Sequence, residues 1–152
     1  MNKPIIYENK IRNVHFGKNV KIVKPVNIYE CKIGDNSFVG PFVEIQKGVV
    51  IGNNCRIQSH AFICELVTIG DHCFISHGAM FINDTFATGG PAGGDASKWK
   101  ATKIGNHVSI GTNATILPVT VTDNVVIGAG SVVTKDILEP GIYAGNPARK
   151  IR

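Results

Sequence analysis

The sequence predicts an all-β fold in which short parallel strands wind into a three-sided prism, and three regularities indicate it. An isoleucine, valine or phenylalanine recurs at every sixth position from Ile33 to Phe81. A small or compact residue stands four positions after each of the first eight of them, from Ser37 to Ala79. Glycine, asparagine and aspartate collect in between, as in "IGDN", "IGNN" and "IGDH", which is the composition of tight turns.

The period of six decides the architecture, because an amphipathic helix repeats at 3.6 residues and a strand at 2. A repeat of six requires a short extended face followed by a corner, and three such faces close one coil of about 18 residues. Successive coils then stack at the spacing of parallel strands, roughly 4.8 Å, so that equivalent residues form ladders. Cys55 and Cys73 are 18 positions apart and are expected to be ladder neighbours that act as small hydrophobic residues.

The hexad pattern is interrupted once, by a segment that cannot continue the prism. An extended loop is expected at about residues 83–103, where "GGPAGG" and the lone Trp99 replace the repeat. A loop of this length in a compact domain is usually functional or disordered. The pattern resumes at Ile104. It lacks one residue in the step from Ile116 to Val121, around "LPVTV", so we expect a tightened rung there.

Both ends of the repeat require a cap, because unpaired strand edges invite pairing with another chain. Before Ile33, the residues Val14, Val20 and Val26 keep the period, but the step from Val26 to Ile33 is seven, which predicts an irregular first coil. The closing "KDILEPGIYAGNPARKIR" leaves the repeat and predicts an irregular C-terminal cap. We expect one domain over residues 1–152, a length that suits a single core.

Composition and charge narrow the location and the partners. The net charge is +5, and basic residues cluster only in the tail, where Arg149, Lys150 and Arg152 suit an anionic small molecule better than nucleic acid. No apolar run is long enough for a signal peptide or a membrane span, so we expect a cytoplasmic protein with neither a membrane nor a nucleic-acid partner. The four cysteines form no CxxC pair and are expected to be reduced thiols that bind no metal.

The repeat and the closing motif resemble the hexapeptide-repeat acyltransferases over nearly the whole chain. In that family the repeat forms a left-handed parallel β-helix, and this handedness is implied by the resemblance alone. The closing "GAGSVVTKDILEPGIYAGNPARKIR" looks like the C-terminal signature of the branch that depends on acetyl-coenzyme A (acetyl-CoA). The resemblance therefore implies acetyl-CoA as cosubstrate, no metal, and a homotrimer with active sites between neighbouring prisms.

A central motif narrows the implied substrate. The segment "GVVIGNNCRIQSHAFICE", followed by "HGAMFINDTF", looks like the bacterial sugar-nucleotide N-acetyltransferases. Those enzymes acetylate the 3-amino group of a UDP- or dTDP-linked amino sugar for surface polysaccharide, which is the function that the resemblance implies. Two departures are visible: the shortened "LPVTV" rung, where a glycine commonly follows the proline, and the insertion, whose sequence matches no family pattern.

Three residues at the insertion are candidates for the substrate site. Asn83 is the first, because its amide both donates and accepts hydrogen bonds and its equivalent in the resembling enzymes contacts the sugar. The alternative is a turn asparagine that satisfies local backbone. Asp84 either accepts a hydrogen bond from a protonated amine or caps the loop. Trp99 is expected to anchor the loop over a neighbouring subunit or the bound substrate.

Two histidines are candidates for the chemistry of proton transfer and binding. His77 and His60 fall at positions three and four of coils 18 residues apart, so both are expected on the same side of the prism. His77 is the candidate general base, because the ordinary pKa of histidine lies near neutrality. A positioning or structural role is the alternative, since the departing thiolate can itself take the proton. His60 is a candidate substrate-binding residue.

The C-terminal half supplies the candidate cofactor residues. Small residues would let the pantetheine arm of coenzyme A (CoA) lie along a prism edge. These are Gly111, Gly128, Ala129 and Ser131. Basic residues in the closing motif are candidates for its phosphates, although each one alone is equally well a solvated surface charge. These are Lys135, Arg149 and Lys150.

Three other functions compete with amine acetylation. An O-acetyltransferase of the same fold would act on a sugar hydroxyl instead. A zinc-dependent carbonic anhydrase-like enzyme is suggested by the five-residue spacing of His72 and His77, but Asn36 stands where the third histidine of that pattern would be. A scaffold or filament would require an uninterrupted repeat with bare ends, and this chain has neither.

Overall fold

The structure is a computed structural model that describes residues 3–152. Within them the chain forms 21 short strands and one 3₁₀ helix, Ala96–Lys98, and no helix there is long and apolar enough to cross a bilayer. The strands are β1 (Ile11–Arg12), β2 (His15–Phe16), β3 (Lys21–Ile22), β4 (Asn27–Tyr29), β5 (Lys32–Ile33), β6 (Phe38–Val39), β7 (Glu44–Ile45), β8 (Val50–Ile51), β9 (Arg56–Ile57), β10 (Phe62–Ile63), β11 (Val67–Ile69), β12 (Phe74–Ile75), β13 (Met80–Phe81), β14 (Thr102–Ile104), β15 (Ser109–Ile110), β16 (Thr115–Ile116), β17 (Thr120–Val121), β18 (Val125–Ile127), β19 (Val132–Val133), β20 (Gly141–Ala144) and β21 (Arg149–Lys150).

The strands form three sheets, which are the faces of a left-handed parallel β-helix. Face 1 contains β1, β4, β7, β10, β13, β16 and β19, and face 2 contains β2, β5, β8, β11, β14 and β17. Face 3 contains β3, β6, β9, β12, β15, β18, β20 and β21. Each coil visits the faces in turn, so three corners run along the prism, which we call corner 1–2, corner 2–3 and corner 3–1. The fold class predicted from the repeat is confirmed.

The hexad residues point into the prism and form its core. Each lies beside its counterpart in the next coil, as Ile33, Ile51 and Ile69 do along face 2. The compact residues form further ladders. Cys55 and Cys73 are buried, and their thiols donate to backbone carbonyl groups of the following coil at 3.1 Å. The prediction that these two cysteines are core ladder residues is confirmed.

Corner 2–3 is held by a ladder of asparagine and aspartate side chains, which explains the "IGDN" and "IGNN" motifs. The Oδ1 atom of each residue accepts a hydrogen bond from the backbone N–H of its equivalent one coil earlier. The N–H of Asp35 donates to Asn53 at 2.8 Å, and that of Asn53 donates to Asp71 at 2.7 Å. The ladder continues through Asn106 to Asp123. These bonds hold each coil in register with the next.

Variation in coil length is confined to corner 1–2. At the other two corners successive inward residues are always six positions apart. At corner 1–2 the step is five from Ile28 to Ile33 and five from Ile116 to Val121, and the insertion occupies the same corner. Val121 pairs with Ile104, 17 positions earlier, so the tightened rung predicted at "LPVTV" is confirmed.

The phase predicted for the first coils is wrong. Phe16 pairs with Ile33 and lies 17 positions before it, so Phe16 holds the hexad position of its coil, although its side chain is exposed at this open end of the prism. The first coils follow the same register as the others. The phase was misread because Ile33 lies five positions after the hexad residue Ile28 but seven positions after Val26, and the sequence alone does not show which of the two is the hexad residue. The valines predicted to be hexad residues occupy the compact positions instead. These are Val14, Val20 and Val26.

The two ends of the prism differ. At the C-terminus β20 extends face 3 beside β18, and β21 folds back antiparallel on β20, so this cap is more regular than the sequence indicates. The buried hydroxyl of Ser131 accepts a hydrogen bond from the N–H of Gly145 at 3.2 Å and fixes the cap to the last coil. At the N-terminal end, residues 3–10 form no strand, and Ile6 and Tyr7 are exposed.

Corner 2–3 allows a direct test of coil stacking. A Cβ atom on Gly70 would lie 2.6 Å from Oδ1 of Asn106 and 2.8 Å from the carbonyl group of Gly105, which is closer than van der Waals contact. We expect Gly70→Ala to lower the free energy of unfolding by about 1–3 kcal/mol, the usual cost of overpacking. Urea denaturation at fixed protein concentration measures this change.

The matched control is Gly90→Ala, because a Cβ atom on Gly90 has no heavy atom within 4 Å. Because the added methyl group meets no neighbour, we expect this substitution to change the free energy of unfolding by no more than about 0.5 kcal/mol. An equal loss in both variants, or no loss in Gly70→Ala, would contradict the role assigned to corner 2–3.

Candidate active site

The insertion leaves the prism at corner 1–2 and is closed at its base by a backbone hydrogen bond. The carbonyl of Asn83 accepts from the N–H of Lys100 at 2.9 Å. The half-buried side chain of Asn83 also donates from its amide to the carbonyl of Glu65, one coil earlier, at 3.3 Å. Within residues 3–152 the carboxamide oxygen of Asn83 accepts no hydrogen bond. Asn83 is therefore held firmly while one acceptor is left for a ligand.

Asp84 organises the insertion through both of its carboxylate oxygens. One oxygen accepts from the N–H of Ala92 at 2.7 Å and the other from the N–H of Phe86 at 2.9 Å. The bond from Ala92, and then that from Phe86, lowers the pKa of Asp84 below its ordinary value of 3.8. The clamp is therefore complete above pH 3.8 and is lost only as the pH falls through the lowered pKa. These contacts are those of the capping alternative for Asp84.

A cleft of about 370 Å³ opens between the base of the insertion and face 1. It brings together Asn83, Asp84 and Trp99, three of the residues proposed from the sequence for the substrate. Aromatic and aliphatic side chains form most of its walls, and polar groups from earlier coils complete it. The full lining is Tyr29, Gln46, Phe62, Cys64, Glu65, Phe81, Ile82, Asn83, Asp84, Phe86 and Trp99.

Sequence reasoning missed three polar residues of this cleft, namely Tyr29, Gln46 and Glu65. They belong to earlier coils and lie far from Asn83 along the chain. The coil period itself was a usable signal for two of them, because Glu65 is 18 positions before Asn83 and Gln46 is 36 positions before Ile82. Tyr29 requires the step of five from Ile28 to Ile33 to be known, and the strand pairing in the structure establishes that step.

The two candidate histidines lie at corner 3–1, on the edge of face 1 opposite Asn83. His77 is exposed, and its carbonyl accepts from the N–H of Asn113 in the next coil at 2.9 Å. His60 has a left-handed backbone with φ of 64° and stacks on Phe42 with ring centroids 4.9 Å apart. The expectation of a shared side holds, but the chain does not bring either histidine to the cleft that contains Asn83.

The small residues proposed for the cofactor continue the corner on which His77 lies. Two of the glycines are explained by contacts within the chain, since a Cβ on Gly111 would lie 2.5 Å from the backbone nitrogen of Ala129 and one on Gly128 would lie 3.0 Å from Ala144. Ala129 is exposed, and the next residue, Gly130, has open space around its Cβ position. Ser131 is fully buried, so its hydroxyl faces the cap and not the surface.

The basic residues proposed for phosphate binding are divided between two places. Lys135 is exposed after β19, at corner 1–2, and is separated by the width of face 1 from Gly130. Arg149 and Lys150 lie in β21. Lys150 donates to Glu139 at 3.0 Å, and this bond raises the pKa of Lys150. Arg149 is exposed and forms no salt bridge within residues 3–152, so it is the freer of the two cations.

The histidines weighed for zinc have structural positions at different corners. His72 and His107 follow the aspartate and asparagine ladder of corner 2–3, with φ of 57° and 54°, and their rings stack 4.8 Å apart. His77 lies at corner 3–1, across face 3 from both. Residues 3–152 contain no group of three or more histidine, cysteine or acidic side chains that could hold a metal ion.

Comparison with known proteins places the chain in a family. Residues 30–65 match the model of the bacterial transferase hexapeptide (six repeats), and residues 101–135 match that of the hexapeptide repeat of succinyl-transferase. The structure is similar to that of AntD, an N-acyltransferase from Bacillus cereus in complex with dTDP and CoA. The identity is 30%, the TM-score is 0.78, and the match covers 92% of this chain and 83% of AntD. The chain belongs to the hexapeptide-repeat acyltransferases.

Two further relatives show the breadth of that family. The bifunctional protein GlmU of Clostridium beijerinckii is 35% identical over 148 residues, which are 91% of this chain and 32% of GlmU. This chain thus spans about a third of the length of the curated relatives that it matches. A maltose O-acetyltransferase from Clostridium difficile is 27% identical, with a TM-score of 0.55 over 90% of this chain and 69% of its own.

The clamp formed by Asp84 gives a testable prediction. We expect Asp84→Ala to speed amide hydrogen exchange at Phe86 and Ala92 by roughly tenfold, because each N–H loses a charge-assisted hydrogen bond. The melting temperature should stay nearly unchanged, since the prism does not depend on the loop. Asp95→Ala is the matched control, because the carboxylate of Asp95 accepts from Ser97 and pairs with Lys98 in the same loop but accepts from neither Phe86 nor Ala92. Unchanged exchange at Ala92 in Asp84→Ala would contradict the clamp.

Proposed function

We propose that the protein transfers an acetyl group from acetyl-CoA to the amine, at C3, of a UDP- or dTDP-linked amino sugar. The observation that carries this proposal is the similarity to AntD over nearly the whole of both chains, because the AntD structure contains a nucleotide diphosphate and CoA together. A cleft with an available Asn83 acceptor stands beside the insertion, where a sugar can be held.

The residues of the cleft suit an amine acceptor. The carboxamide oxygen of Asn83 can accept from the amine and orient its lone pair toward the thioester carbonyl, with Trp99 and Phe62 against the sugar ring. The new C–N bond forms as the C–S bond breaks, and the amine proton passes to His77 or to the departing thiolate. Orientation contributes about 7–11 kcal/mol to such a reaction, whereas a general base supplies roughly 10²- to 10⁴-fold. Positioning by Asn83 therefore matters more than the base.

Corner 3–1 is the side that fits CoA. Gly130 and Ala129 leave open space at the prism edge below His77, which suits a narrow pantetheine arm. Arg149, exposed and without a carboxylate partner in the described part of the chain, can meet the phosphates. Gly111 and Gly128 serve coil stacking first, and Lys135 is too far around the prism to join them.

The separation of His77 from Asn83 favours a homotrimer with active sites between subunits. His77 and Asn83 are six positions apart in largely extended chain. At 3.3 Å per residue, this places them up to roughly 20 Å apart. One amine cannot contact both residues of one chain. A site that uses both groups is complete only when corner 1–2 of one subunit faces corner 3–1 of another.

A sugar O-acetyltransferase is the second candidate, favoured by the similarity to the maltose O-acetyltransferase. Such an enzyme must deprotonate a hydroxyl, so it depends more strongly on a general base than amine acetylation does. Loss of His77 would therefore be severe for O-acetylation and moderate for N-acetylation.

A thiol-release assay with acetyl-CoA tests the proposed function. The acceptors are UDP- and dTDP-linked sugars in matched pairs that carry either an amine or a hydroxyl at C3. We expect release with at least one amino-sugar nucleotide and a kcat/KM at least about a hundredfold lower for its hydroxyl partner. No release with any amino sugar, or faster release with the hydroxyl partners, would overturn the proposal.

A subunit-mixing experiment tests the shared site. We expect His77→Ala and Asn83→Ala each to lower activity about tenfold or more, and their co-expressed mixture to recover up to about one quarter of wild-type activity, because one site in four combines two intact residues. His77→Ala mixed with the double variant His77→Ala/Asn83→Ala is the control and should recover nothing. A mixture no more active than either single variant would show that each site lies within one chain.

A further inference from the structure

The cleft beside Asn83 is acidic, whereas basic residues lie nearby in the first coil of the prism. The lining of the cleft includes the carboxylates of Glu65 and Asp84 but no lysine or arginine. Such a lining favours an amine and repels a phosphate. If the acceptor is a nucleotide sugar, its diphosphate must therefore lie outside this cleft, at a site with basic residues.

A second concavity of about 750 Å³ lies on the same side of the prism, against the first coil. Its lining has two basic residues, Lys10 and Arg12, against one acidic residue, Glu8, and it includes the exposed Ile6 and Tyr7. The two concavities meet at one contact, where the guanidinium of Arg12 lies over the ring of Tyr29, 4.2 Å from its centroid. Tyr29 lines the cleft of Asn83, so Arg12 stands at the boundary between the acidic and the basic part.

Arg12 is held in place without being neutralised. Its guanidinium donates to Oδ1 of Asn27 at 3.2 Å and is half-buried against Tyr29. Within residues 3–152 it forms no salt bridge, so most of its five N–H donors are available. A planar, fixed guanidinium with free donors is suited to bidentate binding of phosphate.

Tyr29 lies between Arg12 and the cleft of Asn83. Burial, and then the carboxylates of Glu44 and Glu65, raises the pKa of Tyr29, so its hydroxyl remains a hydrogen-bond donor at neutral pH. Because Tyr29 lines the cleft, this donor can meet a sugar hydroxyl there. A ligand that passes from the cleft over Tyr29 therefore reaches Arg12 next.

We propose that Arg12 binds the diphosphate of the nucleotide sugar, with the amino sugar in the cleft and the nucleoside against residues 6–10. This inference rests on the proposed function. Four coil steps along face 1 separate the row of Phe81 from that of Ile11 and Arg12, roughly 19 Å at 4.8 Å per step. A hexose joined to a diphosphate spans a comparable distance once the hydrogen bond to Asn83 at one end and the reach of the Arg12 side chain over Tyr29 at the other are added.

Calorimetric titration of UDP and dTDP into Arg12→Gln tests the assignment. We expect the Kd of both nucleotides to rise at least about tenfold, because a charge-assisted pair is lost. Arg56→Gln is the matched control, since the guanidinium of Arg56 lies over the Phe38 ring at 4.9 Å on face 3 and the substitution removes a similar contact. It should leave nucleotide binding unchanged.

Titration with CoA separates the two diphosphates that the enzyme would bind. We expect the Kd of CoA to be the same in Arg12→Gln and wild type, and weaker CoA binding with unchanged UDP binding would overturn the inference. Unchanged binding of both nucleotides in Arg12→Gln would overturn it as well. Failure of the wild-type protein to bind any nucleoside diphosphate would overturn the nucleotide-sugar proposal itself, which keeps the two failures distinct.

Hydrogen exchange on the wild-type protein keeps the test valid if Arg12→Gln does not fold, as judged by circular dichroism. We expect UDP to protect residues 10–12 and 27–29 and uridine, which lacks phosphate, to protect them at least severalfold less. Equal protection by both ligands, or no protection by UDP, would contradict a phosphate site at Arg12.

Discussion

The backbone register between stacked coils is the constraint on which the rest of this structure depends. Each coil is bonded to its neighbours on three faces, and the ladder from Asp35 to Asp123 at corner 2–3 ties their turns together as well. Because every inward residue must meet its counterpart one coil away, a residue cannot be added on a face without displacing a whole ladder. Two corners obey this rule at every coil that the structure describes, and corner 1–2 alone varies.

The difference between the two invariant corners and the variable corner 1–2 explains where a ligand site can form. The cleft beside Asn83 forms where the chain departs from the repeat. The insertion is that departure, and the hydrogen bonds of Asp84 fix its shape. Asn83 closes the base of the insertion by accepting from Lys100 and attaches it to the previous coil by donating to Glu65. In the proposed trimer, the regular corner 3–1, with Gly130 open at its edge, is the side that faces the insertion of another subunit.

The sequence predicted the prism, its interruption and the core cysteines because a period of six leaves few other folds open. The phase predicted before Ile33 was wrong, because a shortened corner leaves two sets of apolar residues that could be the hexad ladder. The sequence alone does not distinguish them from the ladder of compact residues. Tyr29 was missed for the same reason, because a step of five follows Ile28. Gln46 was missed although it lies two regular coils before Ile82. Ser131 and Gly128 were predicted from the sequence to contact the cofactor, and in the structure both also contact the cap, through a hydrogen bond from Gly145 and close packing against Ala144.

In the proposed enzyme, the acceptor amine is held at corner 1–2, and a second copy of the chain completes the site. A crystal structure with CoA and a bound amino-sugar nucleotide tests this arrangement most directly. We expect the amine within hydrogen-bond distance of Asn83, between the insertion of one subunit and corner 3–1 of its neighbour. A sugar bound at corner 2–3, or a complete site with Asn83 and His77 of one chain on the same ligand, would contradict it.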